Sequence, residues 1–213
     1  MEIYMNFEKI LKNKRVKLFM ASIIMGICIT SLIQSYSQRV MADISSSVVR
    51  FHVIANSDTD VDQSLKLKVR DEIIYYLEPV LKNADNVEET KRLIKNNIDK
   101  IEEEAQKIVK KYGYTYSVTA AFGNFDFPAK AYENAQFPKG KYDALKIVIG
   151  KGEGQNWWCV LYPQLCFDYS QKGVLSKESE TKLKNVLTYD EYNMITSKSD
   201  FNLKFKIVEW FSS

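Results

Sequence analysis

Reactive side chains are sparse in this chain of 213 residues, and those that could do chemistry gather in one stretch. From Gly150 to Cys166, GKGEGQNWWCVLYPQLC holds two of the three cysteines, two of the three tryptophans and three of the eight glycines. If the chain reverses about Tyr162–Pro163, Val160 faces Leu165 and Cys159 faces Cys166, which brings the two sulfurs within bonding reach. A two-residue primed turn is excluded, because it needs a positive φ that Pro163 does not supply. A four-residue loop from Leu161 to Gln164 remains, and an aromatic residue before proline suits a cis-proline turn there. A disulfide closing this loop would add about 2.5 kcal/mol through chain entropy. The alternative is two reduced cysteines used as small core residues, and the compartment decides between them.

Other chemistries lack parts. His52 is the single histidine, so a multi-histidine metal cage is excluded. One histidine with two cysteines seven apart also does not match structural zinc spacing, and neither a metal nor a cofactor is expected. Cys159 as nucleophile with His52 as base would require the two to meet across a sheet. A wall-cleaving glycosidase needs two carboxylates flanking a sugar; Asp58, Asp62 and Asp71 cluster near one strand–helix junction, where Asp58 and Asp62 serve equally as cap and first-turn acids. The Gly150-x-Gly152-x-Gly154 loop would cradle phosphate only if a helix followed it. A strand follows, so the glycines read as a hairpin connection. Trp157 and Trp158 are neighbours on that strand and point to opposite faces. One can fill the core while the other anchors an interface; burial of both is the alternative.

The elements that must position these residues are legible from periodicity. Val49, Phe51 and Val53 alternate with Arg50, His52 and Ile54, a strand that Asn56, Ser57 and Asp58 break with turn chemistry. Asp60 with Gln63 resembles a capping box. The helix it opens carries Val61, Leu65, Val69, Ile73 and Leu77 on one stripe, widened by Leu67 and Ile74, with Lys66, Lys68 and Glu72 toward water and Pro79 at its end or kink. Ile94, Ile98, Ile101, Ala105, Ile108 and Tyr112 predict a second helix, stopped by Gly113 as a left-handed cap. Alternation from Tyr114 to Ala120 predicts a half-buried strand, and Tyr142–Ile149 a more buried one. A polar helical piece behind Ser176, a short turn behind Thr188 and a strand from Phe201 close the chain. The expected fold is α+β: a largely antiparallel sheet covered on one face by two helices.

Compartment is set at the other end. Residues 1–17 hold Lys9, Lys12, Lys14, Arg15 and Lys17 against Glu2 and Glu8, and the uncharged run LFMASIIMGICITSLI follows over residues 18–33. A basic segment before an apolar core marks residues 1–37 as a signal peptide or signal anchor, with a small-x-small pair at Ser35 and Ser37 as the cleavage option. Positive charge on the cytoplasmic side sends everything after it across the membrane. Residues 38–47 read as a linker and residues 48–213 as one exported domain. The net charge is +3, and five basic against two acidic residues in 1–37 also make +3, so the exported part is neutral. Nothing in that balance suggests a nucleic-acid partner, which needs an excess of Lys and Arg on the folded domain, and none is expected.

Several blocks resemble a known family. Arg50-Phe51-His52-Val53-Ile54-Ala55-Asn56-Ser57, Asp62-Gln63, Leu65-Lys66 and Val69-Arg70-Asp71 form the first. Phe127-Pro128, Tyr142-x-Ala144-Leu145, Gly150-x-Gly152-x-Gly154-x-Asn156-Trp157-Trp158-Cys159-Val160 and Pro163-x-Leu165-Cys166 form the second. In this order, over roughly residues 48–168, they resemble the stage II sporulation protein R family, and the end of the chain from Phe205 to Trp210 is also similar. The resemblance implies a protein made in the forespore and exported into the space between forespore and mother-cell membranes. There it would cause a membrane-embedded aspartic protease of the mother cell to cleave the precursor of sigma-E, as an activator without catalysis of its own. On that reading the exposed one of Trp157 and Trp158, the turn with Tyr162 and Pro163, and the polar group Arg50, Asn56, Arg70 and Asp71 form the contact or its support. A secreted hydrolase modifying peptidoglycan is the rival reading.

Overall fold

The computed structural model describes residues 14–132, 135–166 and 177–196. Its centre is strand β1 (Val49–Ile54), and the four-stranded sheet runs in the order β2 (Val118–Phe127), β5 (Gly140–Ile149), β1, β6 (Asn156–Tyr162). Two of the three ladders are antiparallel, β2 with β5 and β1 with β6. The third, β1 with β5, is parallel, with Arg50 opposite Ala144 and Val53 opposite Ile147. Parallel neighbours need a long crossover, which α2 (Asp60–Leu81), α3 (Val87–Asn96) and α4 (Ile98–Lys111) supply. The architecture is the expected α+β, with a mixed sheet.

The three helices pack on one sheet face, against Val49, Phe51, Val53, Leu145 and Ile147. The opposite face is covered too. There the end of α1 (Lys14–Ser47), the small sheet of β3 (Lys130–Tyr132) and β4 (Ala135–Phe137), and helices α5 (Lys177–Val186) and α6 (Tyr189–Thr196) bury a second core around Val40, Ile44, Phe127 and Phe137. Coverage on both sides is why the polar residues of β1, Arg50 and His52, are buried rather than wet. Residues 38–47 continue α1 as helix, and Ser45 and Ser46 bond back to the carbonyls of Ala42 and Asp43.

Local chemistry departs from the sequence reading at four places. Thr59, not Asp60, caps α2, its hydroxyl accepting the Asp62 N–H at 3.3 Å, while the Gln63 amide turns back to the Ser57 carbonyl. Lys66 is only 5% exposed, and Val61 and Leu67 face solvent instead. The ammonium of Lys66 donates to the Gln63 side chain and, at 2.9 Å, to the Gln155 carbonyl, so two oxygens replace its water. The expected second helix is two, α3 and α4. Asn97 ends the first, its side chain donating to the Leu93 carbonyl, although the apolar spacing continues unbroken from Ile94 to Ile98. Gly113 stops α4 at φ +83°, as expected. Behind Thr188 the capping box is reciprocal: the Glu191 carboxylate accepts the Thr188 N–H and the Thr188 hydroxyl accepts the Glu191 N–H. The strand expected from Phe201 lies outside the described residues.

The fourth departure concerns the glycine loop. It is not a hairpin connection, because β5 and β6 lie on either side of β1. The loop instead crosses the end of β1, donating the Glu153 and Gly154 N–H groups to the carbonyls of Asn56 and Ala55. Gly150 and Gly152 take positive φ to make the crossing, and a Cβ at Gly154 would run into the Ser57 carbonyl. Gly154→Ala is therefore expected to cost about 1–3 kcal/mol, the range for forced overpacking. Denaturant unfolding of the variant beside the parent measures it.

Candidate functional site

Helix α2 and strand β6 run side by side in the same direction, which turns scattered sequence positions into one seam. At its start the Lys66 ammonium meets the Gln155 carbonyl. One turn on, the Arg70 guanidinium stands 4.9 Å from the Trp157 ring centre, and Arg70 pairs with Asp71 at 2.7 Å. At its end the Gln164 amide donates to the Leu81 carbonyl at 2.7 Å and the Tyr162 hydroxyl to the Asp85 carbonyl.

The turn closing the seam has the features expected of it. The Tyr162–Pro163 bond is cis, and Cys159 and Cys166 form a disulfide across a Cα separation of 5.7 Å. The Cys166 sulfur also sits 2.9 Å from the Val160 carbonyl. Beside this turn lies a groove of about 1200 Å³, walled by Tyr75, Tyr76 and Glu78 of α2, by Tyr162 and Pro163, and by Val186 of α5. The sequence reading missed Tyr75 and Tyr76. Their signal was an aromatic pair four and three residues before Pro79, on a helix whose apolar stripe was already accounted for by other residues.

The two tryptophans lie on opposite faces of β6, and both are half-buried. Trp157 meets Phe51 edge-on at 5.8 Å beneath Arg70, so it belongs to the seam. Trp158 is stacked on His52 at 4.8 Å with the rings 8° from parallel, and lies edge-on to Phe127. Asn56 works at the seam's foot: its amide donates to Asp62 at 2.8 Å and its oxygen accepts the Lys151 N–H, tying the glycine loop to the start of α2.

Arg50 lies behind the seam with no exposed surface. Its guanidinium carbon is 4.6 Å from the ring centre of Phe127, 4.9 Å from that of Tyr142 and 5.1 Å from that of Phe137. Its Nε donates to the Cys159 carbonyl at 3.0 Å and its Nη2 to the Tyr132 hydroxyl, which in turn donates to the Trp158 carbonyl. Arg50 therefore acts on β6 from the rear, as support. The neighbouring Tyr142 phenol is pushed up to about 12, mainly by burial and against the charge of Arg50.

The enzymatic constellations come apart in space. Cys159 packs in the core under the helices with its sulfur in the disulfide, whereas His52 packs on the other face among Phe125, Phe127 and Trp158. Asp58 accepts the Gln155 N–H, Asp62 is held by Asn56 and Ser57, and Asp71 pairs with Arg70. All three carboxylates are engaged in structure.

These features define a class: an α+β domain carried on an apolar helix, with a disulfide-stapled turn beside an aromatic groove. The family model described as Stage II sporulation protein R (spore_II_R) matches residues 45–172, from the last turn of α1 past both cysteines. Stage II sporulation protein R of Bacillus subtilis (strain 168) is 32% identical over 183 residues, covering 79% of this chain and 82% of that protein. The chain belongs to the stage II sporulation protein R family, and its role lies in sporulation. No solved structure matches it.

Two stability predictions follow from this geometry. Burial pulls the His52 imidazole from 6.5 down to about 4, aided by the charges of Lys146 and Arg50 and opposed by the Asn156 side chain; neither ring nitrogen makes a well-formed hydrogen bond among the described residues. The unfolded chain takes up this proton first, so the contribution is complete above pH 6.5 and is lost as pH falls toward 4. The loss amounts to about 3 kcal/mol. Unfolding free energies of the parent and His52→Phe, compared from pH 7 to 4, should diverge by that much, the parent falling more steeply. Replacing both Cys159 and Cys166 by Ser should cost about 2.5 kcal/mol, read as a lower denaturant midpoint that reductant no longer changes.

Proposed function

We propose that this chain is an exported activator that works by binding. Its domain engages the outer segment of a membrane-embedded aspartic protease of the mother cell and so raises cleavage of the precursor of sigma-E, from the space between the forespore and mother-cell membranes. The single observation that carries this reading is the seam. It sets Arg70, Trp157 and Tyr162, residue types that dominate binding energy at protein interfaces, along one helix–strand border ended by a disulfide. The apolar helix and the disulfide both fit a place outside the cytoplasm, and membership of the family supplies the link to sporulation.

Activation then requires a difference in affinity. The domain must bind the active arrangement of the protease better than the inactive one, since a ligand with equal affinity for both shifts nothing. Trp157 is the anchor of choice: it is half-buried, it borders the groove side of the sheet, and its removal leaves Arg50 and the second core untouched.

The test is co-expression of this chain with the protease and its precursor in a host that has neither. Trp157→Ala and the pair Arg70→Ala with Asp71→Ala should each lower precursor processing by about tenfold or more, matching a hot-spot loss of at least ~1.4 kcal/mol, while each variant still unfolds in a cooperative thermal transition above the assay temperature, lowered for Trp157→Ala by the lost packing on Phe51. Full processing by stable variants would remove the seam from the interface. Soluble fragments released from peptidoglycan by the purified domain, and lost on substitution of Asp58, would favour the hydrolase instead.

A further inference from the structure

Helix α1 joins an exposed apolar run to the folded domain without a break. Over residues 18–33, Leu18, Phe19, Ile24, Leu32 and Ile33 are each more than half exposed, and none of the apolar window is buried. Farther along the same helix Val40 and Ile44 are buried in the second core. At 1.5 Å per residue only ~10 Å of helix separates Ile33 from Val40. The position of the domain relative to any bilayer crossed by residues 18–33 is therefore set by the helix itself.

That constraint falls on α6. Tyr36 lies about 4.5 Å of helix beyond the apolar run, and its hydroxyl is 3.5 Å from the Asp190 carboxylate in the first turn of α6. The residue before Asp190 is Tyr189, 81% exposed, the most exposed large ring or aliphatic side chain among the described residues. A lone exposed tyrosine needs no explanation by itself. One held at the end of an apolar span does, because tyrosine is favoured where a ring can enter the headgroup region with its hydroxyl in water.

We infer that Tyr189 and the start of α6 rest in the headgroup layer of the bilayer that α1 crosses, giving the domain a second point of contact with lipid. This rests on residues 18–33 being a retained anchor, part of the localisation proposed above. With two contacts the domain does not swivel on its helix. The seam stands on the sheet face opposite α1 and α6 and is presented to a membrane partner in one orientation.

The experiment uses the full chain in phosphatidylcholine vesicles, labelled on single cysteines with a fluorophore under non-reducing conditions that leave the disulfide intact. Cys28, exposed within the apolar run, reports the span. Tyr189→Cys and, with the Tyr189 ring kept, Asp190→Cys report α6, and Lys107→Cys on α4 is the control, each with Cys28→Ser. Nitroxide lipids carrying the quencher either deep in the acyl chain or at the headgroup supply the depth. The expected result is quenching of the Cys28 label by the deep nitroxide, and quenching of both α6 labels by the headgroup nitroxide several-fold beyond the Lys107 control. A quenched Cys28 label with α6 labels no different from the control overturns the second contact and leaves the anchor standing. An unquenched Cys28 label overturns both.

Discussion

A guanidinium buried among aromatic rings is the interaction on which this structure depends. Placing an arginine on the central strand of a sheet covered on both faces would be prohibitive without compensation. The compensation is assembled from the rest of the fold: rings from β2, β4 and β5, a hydroxyl from β3 and a carbonyl from β6 all converge on Arg50. Each of those elements contributes one group to the same cation. The most direct consequence falls on β6, whose Cys159 and Trp158 carbonyls are held by Arg50 and Tyr132, while its other face packs toward α2.

The seam is the product of that fixation. Strand β6 lies at the edge of the sheet and pairs only with β1 among the described residues. Edge strands are places where proteins must either cover their backbone or use it. Here α2 runs alongside, bonded to β6 near both ends by Lys66 and Gln164, and the disulfide closes the turn that follows. Tying the foot of the same seam, Asn56 bridges the glycine loop and the start of α2. Residues eighty or more positions apart in sequence are thus tied into one surface.

Much of this was readable from the chain, and what was not has a physical reason. Period-two alternation located β1, and reversal about Tyr162–Pro163 put Cys159 opposite Cys166 and suited a cis turn, with the bond itself left to the compartment; the fold has both the disulfide and the cis peptide. Those are local signals, decided by neighbours a few residues away. Which strands are neighbours is not local: nothing in Gly150-x-Gly152-x-Gly154 distinguishes a loop that turns back on its own strand from one that steps over β1. The burial of Arg50 and Lys66 was hidden for a related cause, since a charge is read as solvated until its partners, here distant rings and the Gln155 carbonyl, are in view. The break at Asn97 escaped because the apolar stripe of α3 continues in phase into α4, and only the amide reaching back to Leu93 marks the end. For the candidate site, sequence named Arg70, Asp71, Trp157, Tyr162 and Pro163, which the fold aligns along one border. It also named Arg50 and Trp158, which the fold sets behind that border.

The proposed activation requires that a partner protein read the α2–β6 border. Backbone hydrogen exchange of the full chain in lipid, with and without the membrane protease, tests this most directly. Slower exchange on adding the protease is predicted in residues 70–82 and 155–165, with α4 unchanged. Protection confined to α4 and the outer edge of β2, with the border exchanging as before, would contradict it.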